Sequence, residues 1–250
     1  MGQGSRHSEG STNAGLRVKD PVGGVPDLAR FFRAYDAHFS DVDHYSYQLR
    51  HMTARYSRGD SLDDIRREFP ELVHKIALTD KMNMENYPDG VHVFEHRGRF
   101  VESFRDALVV LSLGLCLRVN EDEIAAVLSY CERGDPLLET IAGAAAPGLQ
   151  KPMETPAFYN FFDRLYDALK LAAAERERCV REYLNVWYSV KMDGLTMKDT
   201  HLTEDQADYV GYWCFEAAGL VAALDINDET FADHPHYPKD LVAFYRERNK

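Results

Sequence analysis

Tyr209 to Leu241 reads YVGYWCFEAAGLVAALDINDETFADHPHYPKDL, and the fold turns on this stretch. From Tyr209 to Leu224, aromatic and small residues recur at helical spacing. Tyr209, Tyr212, Trp213, Glu216, Leu220 and Leu224 share one helical face, while Gly211, Cys214, Ala218 and Val221 line much of the other. A helix that is apolar on most sides belongs at the centre of its domain. Thr203 with Gln206 reads as a capping box and sets its start at about Glu204. Glu216 then lies within an aromatic stripe, where a carboxylate must find partners or stay protonated. Tyr212, Trp213 and Glu216 are accordingly assigned to the core. The acidic run Asp225-Ile226-Asn227-Asp228-Glu229 ends the helix, and Pro238 opens a short final one.

The rest of the chain is also helical in pattern. Apolar residues recur at three and four from Leu28 onward, and that pattern ends at Gly59. Ser61 with Asp64 marks a new helix start in the manner of a capping box, and Pro70 predicts a break near Phe69. Asn86 to Gly90 is a turn. Phe100 to Leu117 is a long apolar helix, and Asn120 with Glu123 caps the next one. Asp135-Pro136 and Thr155-Pro156 each set a capping side chain before a proline. Gly143 to Pro156 is the best linker, and only Val91 to Phe94 has strand character. The expected fold is all-α, a multi-helix bundle in which an N-terminal half packs on a C-terminal half. A leader over residues 1–24 precedes an N-terminal helical domain over 25–147 and a C-terminal one over 148–250.

Charge narrows the function. The 250 residues carry 29 Lys and Arg against 41 Asp and Glu, a net charge of −12. Direct binding to nucleic acid is disfavoured, because phosphate contact needs a basic face. A cationic partner suits the balance. The four cysteines are far apart and form no C-x-x-C pair, so buried thiols in a reducing cytoplasm fit better than a disulfide frame. The N-terminal residues have no apolar core of the kind a signal peptide needs, and the apolar run Ala107 to Leu117 is shorter than the ~18 residues of a membrane span.

Three segments could carry chemistry. His92-Val93-Phe94-Glu95-His96 matches the H-x-x-E-H pattern of zinc peptidases, which requires a helix; here it follows a Pro-Asp-Gly turn and alternates as a strand does. A metal-dependent hydrolase built on His92, Glu95 and His96 is the alternative reading. Asp225 to Glu229 begins like a calcium loop, yet Thr230 stands where glycine is needed and His236 where the closing glutamate should be. His234-Pro235-His236 reads as a rigid turn rather than a metal site. No phosphate-binding or dinucleotide motif is present. The expectation is a non-enzyme with no cofactor and no metal.

The sequences Y-V-G-Y-W-C-F-E-A-A, D-I-N-D and Y-P-K-D-L within Tyr209 to Leu241 strongly resemble the C-terminal domain of the PoNi family of bacterial immunity proteins. Leu184-Asn185-Val186-Trp187-Tyr188, followed by His201, resembles the family's preceding W-Y segment, and Tyr56-Ser57-Arg58-Gly59 with the Ala107 to Leu117 helix is similar to its N-terminal half. Where the family commonly carries D-D after the central helix, this chain has Asn227-Asp228. The resemblance implies a cytoplasmic all-helical protein that protects its producer from an antibacterial toxin. Such toxins are nucleases of the restriction-endonuclease-like superfamily, often delivered by type VI secretion in interbacterial competition. The implied partner is a toxin with a basic nuclease domain, with no direct nucleic acid and no membrane; a helical adaptor remains the other non-enzymatic reading. With the charge, this makes Asp225, Asp228, Glu229 and Asp233 the expected toxin contacts, with Asp205 and Asp208 as outer ones.

Overall fold

The computed structural model describes residues 28–86, 91–95, 100–192, 195–200 and 209–248. The chain opens with α1 (Leu28–Ala34), which runs into a π-helical turn at Tyr35–Phe39. α2 (Tyr45–Arg58) follows, capped by His44, whose Nδ1 accepts the Ser46 N–H, and it ends at Gly59. The leading apolar pattern is thus divided among three pieces rather than one helix. α3 (Leu62–Arg66) starts at Ser61, but that side chain makes no capping bond; the Asp64 N–H goes to the Ser61 carbonyl instead. α4 (Phe69–Asn86) holds Pro70 as its second residue, where a missing N–H leaves no helical bond unmade. The break expected near Phe69 is therefore present.

α5 (Val101–Leu117) is the centre of the molecule, with Phe104 and every residue from Ala107 to Leu117 buried. α6 (Glu121–Leu128) begins with the Asn120–Glu123 capping box, both reciprocal bonds at 2.9 Å. α7 (Pro136–Ala145) begins at Asp135, whose Oδ1 accepts the Leu137 and Leu138 N–H groups. Thr155-Pro156 starts no helix: a 3-10 turn at Pro147–Leu149 gives way to extended chain, and α8 (Tyr159–Lys170) begins three residues after Pro156. The reason is tertiary. Asp135 Oδ2 accepts the Ala157 N–H at 2.9 Å and the Tyr166 hydroxyl at 2.6 Å, fixing the segment on α7. α9 (Ala173–Trp187) packs on α8, and a strand pair, β1 (Lys191–Met192) with β2 (Leu195–Thr196), follows it. The strand character of Val91 to Phe94 reduces to one bridge between Phe94 and Cys131.

α10 (Phe215–Leu224) is the expected central helix, but it is ten residues long and starts well after Glu204. Residues 209–214 lie in no helix or strand, and the Thr203–Gln206 cap lies outside the described residues. Gly211 has φ +112°, which no right-handed helix contains. The Ser57 hydroxyl donates to the Val210 carbonyl at 2.5 Å, and Trp213 Nε1–H donates to Ser57 Oγ at 2.8 Å. A Cβ on residue 211 would lie 2.1 Å from Ser57 Oγ. Tyr209, Tyr212 and Trp213 thus share no helical face with Glu216; they form a strip that locks the C-terminal half onto α2. α11 (Lys239–Glu247) starts after Pro238 and packs on α5 and α10. One apolar core spans both halves, from Tyr45 to Val242.

Candidate functional site

Leu224 ends α10 because Asp225 adopts a left-handed conformation, φ 48°, which a short polar side chain tolerates. The turn that follows is held from within. Ile226 is buried, the Glu229 N–H donates to Asn227 Oδ1 at 3.1 Å, and Phe231 packs edge-on against Tyr237. Thr230 Oγ1 is tied to Glu177 on α9.

The four expected contact residues in this turn are not equivalent. Asp225 is 94% exposed in its side chain and Asp233 92%, and Glu229 is exposed as well. Asp228 is only 14% exposed: Arg246 donates to it at 2.6 Å and the Tyr237 hydroxyl at 2.8 Å. Asp228, expected as a toxin contact, is instead turned onto Arg246 and Tyr237. Asp228 joins the turn to α11, where the burial of Tyr237 and the adjacent Asp228 charge raise that phenol's pKa. Arg246 also donates to the Ile226 carbonyl and lies 3.9 Å from Asp225. Lys239 pairs with Asp233 at 2.7 Å, which lowers the pKa of that carboxyl. Asp205 and Asp208 lie outside the described residues.

At the other end of α10 sits Glu216, 1% exposed. Its Oε1 accepts Trp187 Nε1–H at 2.6 Å and the Tyr183 hydroxyl at 3.1 Å. Burial opposes the charge of nearby Arg105, but Glu216 and Asp106 outweigh it and raise its pKa. This carboxylate is a core partner for two aromatic groups, as its place in the sequence implies. Cys214 and Cys131 are buried thiols whose pKa burial pushes up, Cys131 to about 12, so neither is a ready nucleophile.

The two histidine motifs are also bound within the fold. His92 Nδ1 lies 3.2 Å from both oxygens of buried Asp80, which also accepts the Val93 N–H at 2.8 Å. The His92 N–H donates to Glu95, and His96 lies outside the described residues. His236 is buried and stacks on Tyr188 at 5.1 Å, while its N–H donates to His234 Nδ1. Burial lowers the pKa of His234 to about 4, with His236 adding to the effect. Among the described residues no group of three or more His, Cys, Asp or Glu is arranged to hold a metal. None of their helices is long and apolar enough to cross a membrane.

Family models match both halves of the chain, the N-terminal domain of the PoNe immunity proteins over residues 37–129 and their C-terminal domain over residues 133–241. The chain belongs to the PoNi family. Its class of function is immunity to PoNe nuclease toxins, which implies a cognate nuclease as partner. Among solved structures, protein PA2201 from Pseudomonas aeruginosa is similar, with a TM-score of 0.59 at 18% identity over 90% of this chain and 87% of that one. That likeness concerns the fold. No curated protein matches. The PoNi C-terminal model begins just before Asp135 and ends at Leu241, enclosing Glu216, the turn and the start of α11. The Ser57–Trp213 clasp joins the two PoNi domains. Sequence reading missed Ser57 as a partner of the aromatic strip, since 156 residues separate them.

Proposed function

We propose that this PoNi protein neutralises a PoNe-type nuclease by stoichiometric binding, without making or breaking a bond, and that it acts in the cytoplasm. Exposed carboxylates at the end of α10 engage a basic, DNA-binding face of the toxin and keep DNA out by occupancy. The match of both PoNi domains carries this reading. The net charge of −12 supports it, because a nuclease must present positive charge to phosphate. Asp225, Glu229 and Asp233 are the proposed contacts, with Asp205 and Asp208 completing the set. The Asp233–Lys239 pair is exposed, and water screens such pairs until they contribute little, so a toxin cation can replace the lysine at small cost. Asp228 instead holds the turn in shape.

The test is DNA cleavage by the toxin encoded beside this chain, with the immunity protein titrated in. Cleavage should stop near one equivalent. Undiminished cleavage at tenfold excess would end the proposal.

A further inference from the structure

We propose that Arg105 and Glu216 form a charge pair across the joint of the two PoNi domains, and that this pair selects the one arrangement in which α5 and α10 dock. This inference does not depend on how the toxin is bound. Arg105 lies on α5, within the N-terminal domain match, and Glu216 on α10, within the C-terminal one. α10 packs chiefly on α5, and the two backbones approach where Ser112 meets Gly219. Arg105 precedes Ser112 by two helical turns on the same face of α5, and Glu216 precedes Gly219 by about one turn on α10. Both charges therefore belong to the contact between these helices.

Each side chain has one polar atom to spare. Glu216 Oε1 is taken by Trp187 and Tyr183, while its Oε2 is buried with no hydrogen-bond partner among the described residues. The same holds for Nε of Arg105, on a half-buried side chain. Burial works against the Arg105 charge, but Glu216 first and Asp106 second outweigh it and hold its pKa up. Asp106 is otherwise engaged, since its Oδ2 accepts the Tyr45 hydroxyl at 2.7 Å. Glu216 is thus the principal counter-charge of Arg105, reached from the other domain. The rest of the contact is apolar, and apolar burial is non-directional, so it does not by itself fix which turn of α10 faces Arg105. A buried charge pair adds little net stability over an apolar substitute, yet separating its members leaves both without compensation. A shifted docking carries that same cost, which is how the pair excludes it.

The protein's two tryptophans report on both parts of this claim. Trp187 Nε1–H donates to Glu216, and Trp213 Nε1–H donates to Ser57 across the joint, so their indole N–H signals in NMR read the pair and the docking. Arg105→Met keeps an apolar stem and removes the charge. It should lower the folding equilibrium constant in urea by about tenfold or more and should broaden or split both indole signals. Glu216→Gln keeps an acceptor for Trp187 and Tyr183 without the charge. Added to Arg105→Met, it should recover most of the lost stability and return a single Trp213 signal, which a loss of stem packing alone would not allow. If Arg105→Met does not fold, the double variant decides: folded with one Trp213 signal supports the pair, and unfolded overturns it. Additive losses in the double variant overturn it as well. So does a Trp213 signal left unmoved by Arg105→Met, whatever the stability.

Discussion

Asp228 and Asp225 stand three positions from each other in one acidic turn, and their surroundings give them different work. Removing Asp228 leaves the Tyr237 hydroxyl without its acceptor and takes from Arg246 its nearest carboxylate, leaving that charge only the Ile226 carbonyl and the more distant Asp225. Asp228→Ala should cost about 2–3 kcal/mol and lower the melting temperature by roughly 5–10 °C, read by calorimetry. Asp225→Asn, which removes the charge and keeps a side chain suited to the left-handed backbone, should leave melting within about a degree or two. A second carboxylate provides a pH signature. Arg58, then Arg55, hydrogen-bond to Asp60 and lower its pKa from 3.8 to about 2. The folded value lies below the unfolded one, so its stabilisation is present above pH ~4 and is lost as pH falls toward ~2. Its ceiling is about 2 kcal/mol, reduced by the exposure of Arg58. Denaturation of Asp60→Asn and wild type should differ at pH 6 and converge near pH 2; a gap that stays constant with pH would refute the assignment.

The decisive contact between elements is that of α5 with α10. A Cβ on residue 219 would fall 2.0 Å from Ser112 Oγ, 2.5 Å from its Cβ and 3.0 Å from its Cα, so the backbones meet with no room for a side chain. Gly219→Ala must push these buried helices away from each other, and a cost of about 3 kcal/mol, the upper end of the usual range for overpacking, is expected, measured by urea unfolding. Trimming Ser112 to alanine should recover only a fraction of it, because the Ser112 Cα and Cβ positions remain in the way. Gly148→Ala, with nothing within 4 Å of the added carbon, serves as the neutral control. At this scale the sequence was an incomplete guide. Asn120 and Asp135 fixed helix starts because a cap acts on bonds within a few residues of itself, and Pro238 marks the start of α11 through its locked φ. Ser61 and Thr155 have the same chemistry and cap nothing: the Asp64 N–H goes to the Ser61 carbonyl, and Asp135, distant in sequence, holds the segment after Thr155.

For the whole molecule, the proposed encounter with the toxin is one that net charge would govern more than shape. Reversing Glu229 and Asp233 to lysine, with Asp225→Asn to spare the left-handed backbone, changes the net charge by five units, since each lysine shifts it by two and the asparagine by one. Stopped-flow association with the toxin should slow by about tenfold or more at low salt and lose most of its ionic-strength dependence, while melting stays near wild type. An unchanged association rate would place the toxin elsewhere on the surface. Of the proposed site, the residue types and their clustering were legible in the sequence. Which carboxylates remain free was not, because Arg246 reaches Asp228 across 18 residues and Lys239 reaches Asp233 across a proline turn.

The chain by itself determined the helical class, the burial of α5 and α10, and membership of the family, since apolar periodicity and short motifs act locally and survive any packing. Tertiary structure decided where α10 begins. It chose between a long helix apolar on most sides and a strip clasped to Ser57, because Gly211 permits both backbones and the α2 surface supplies the hydrogen bonds that favour one.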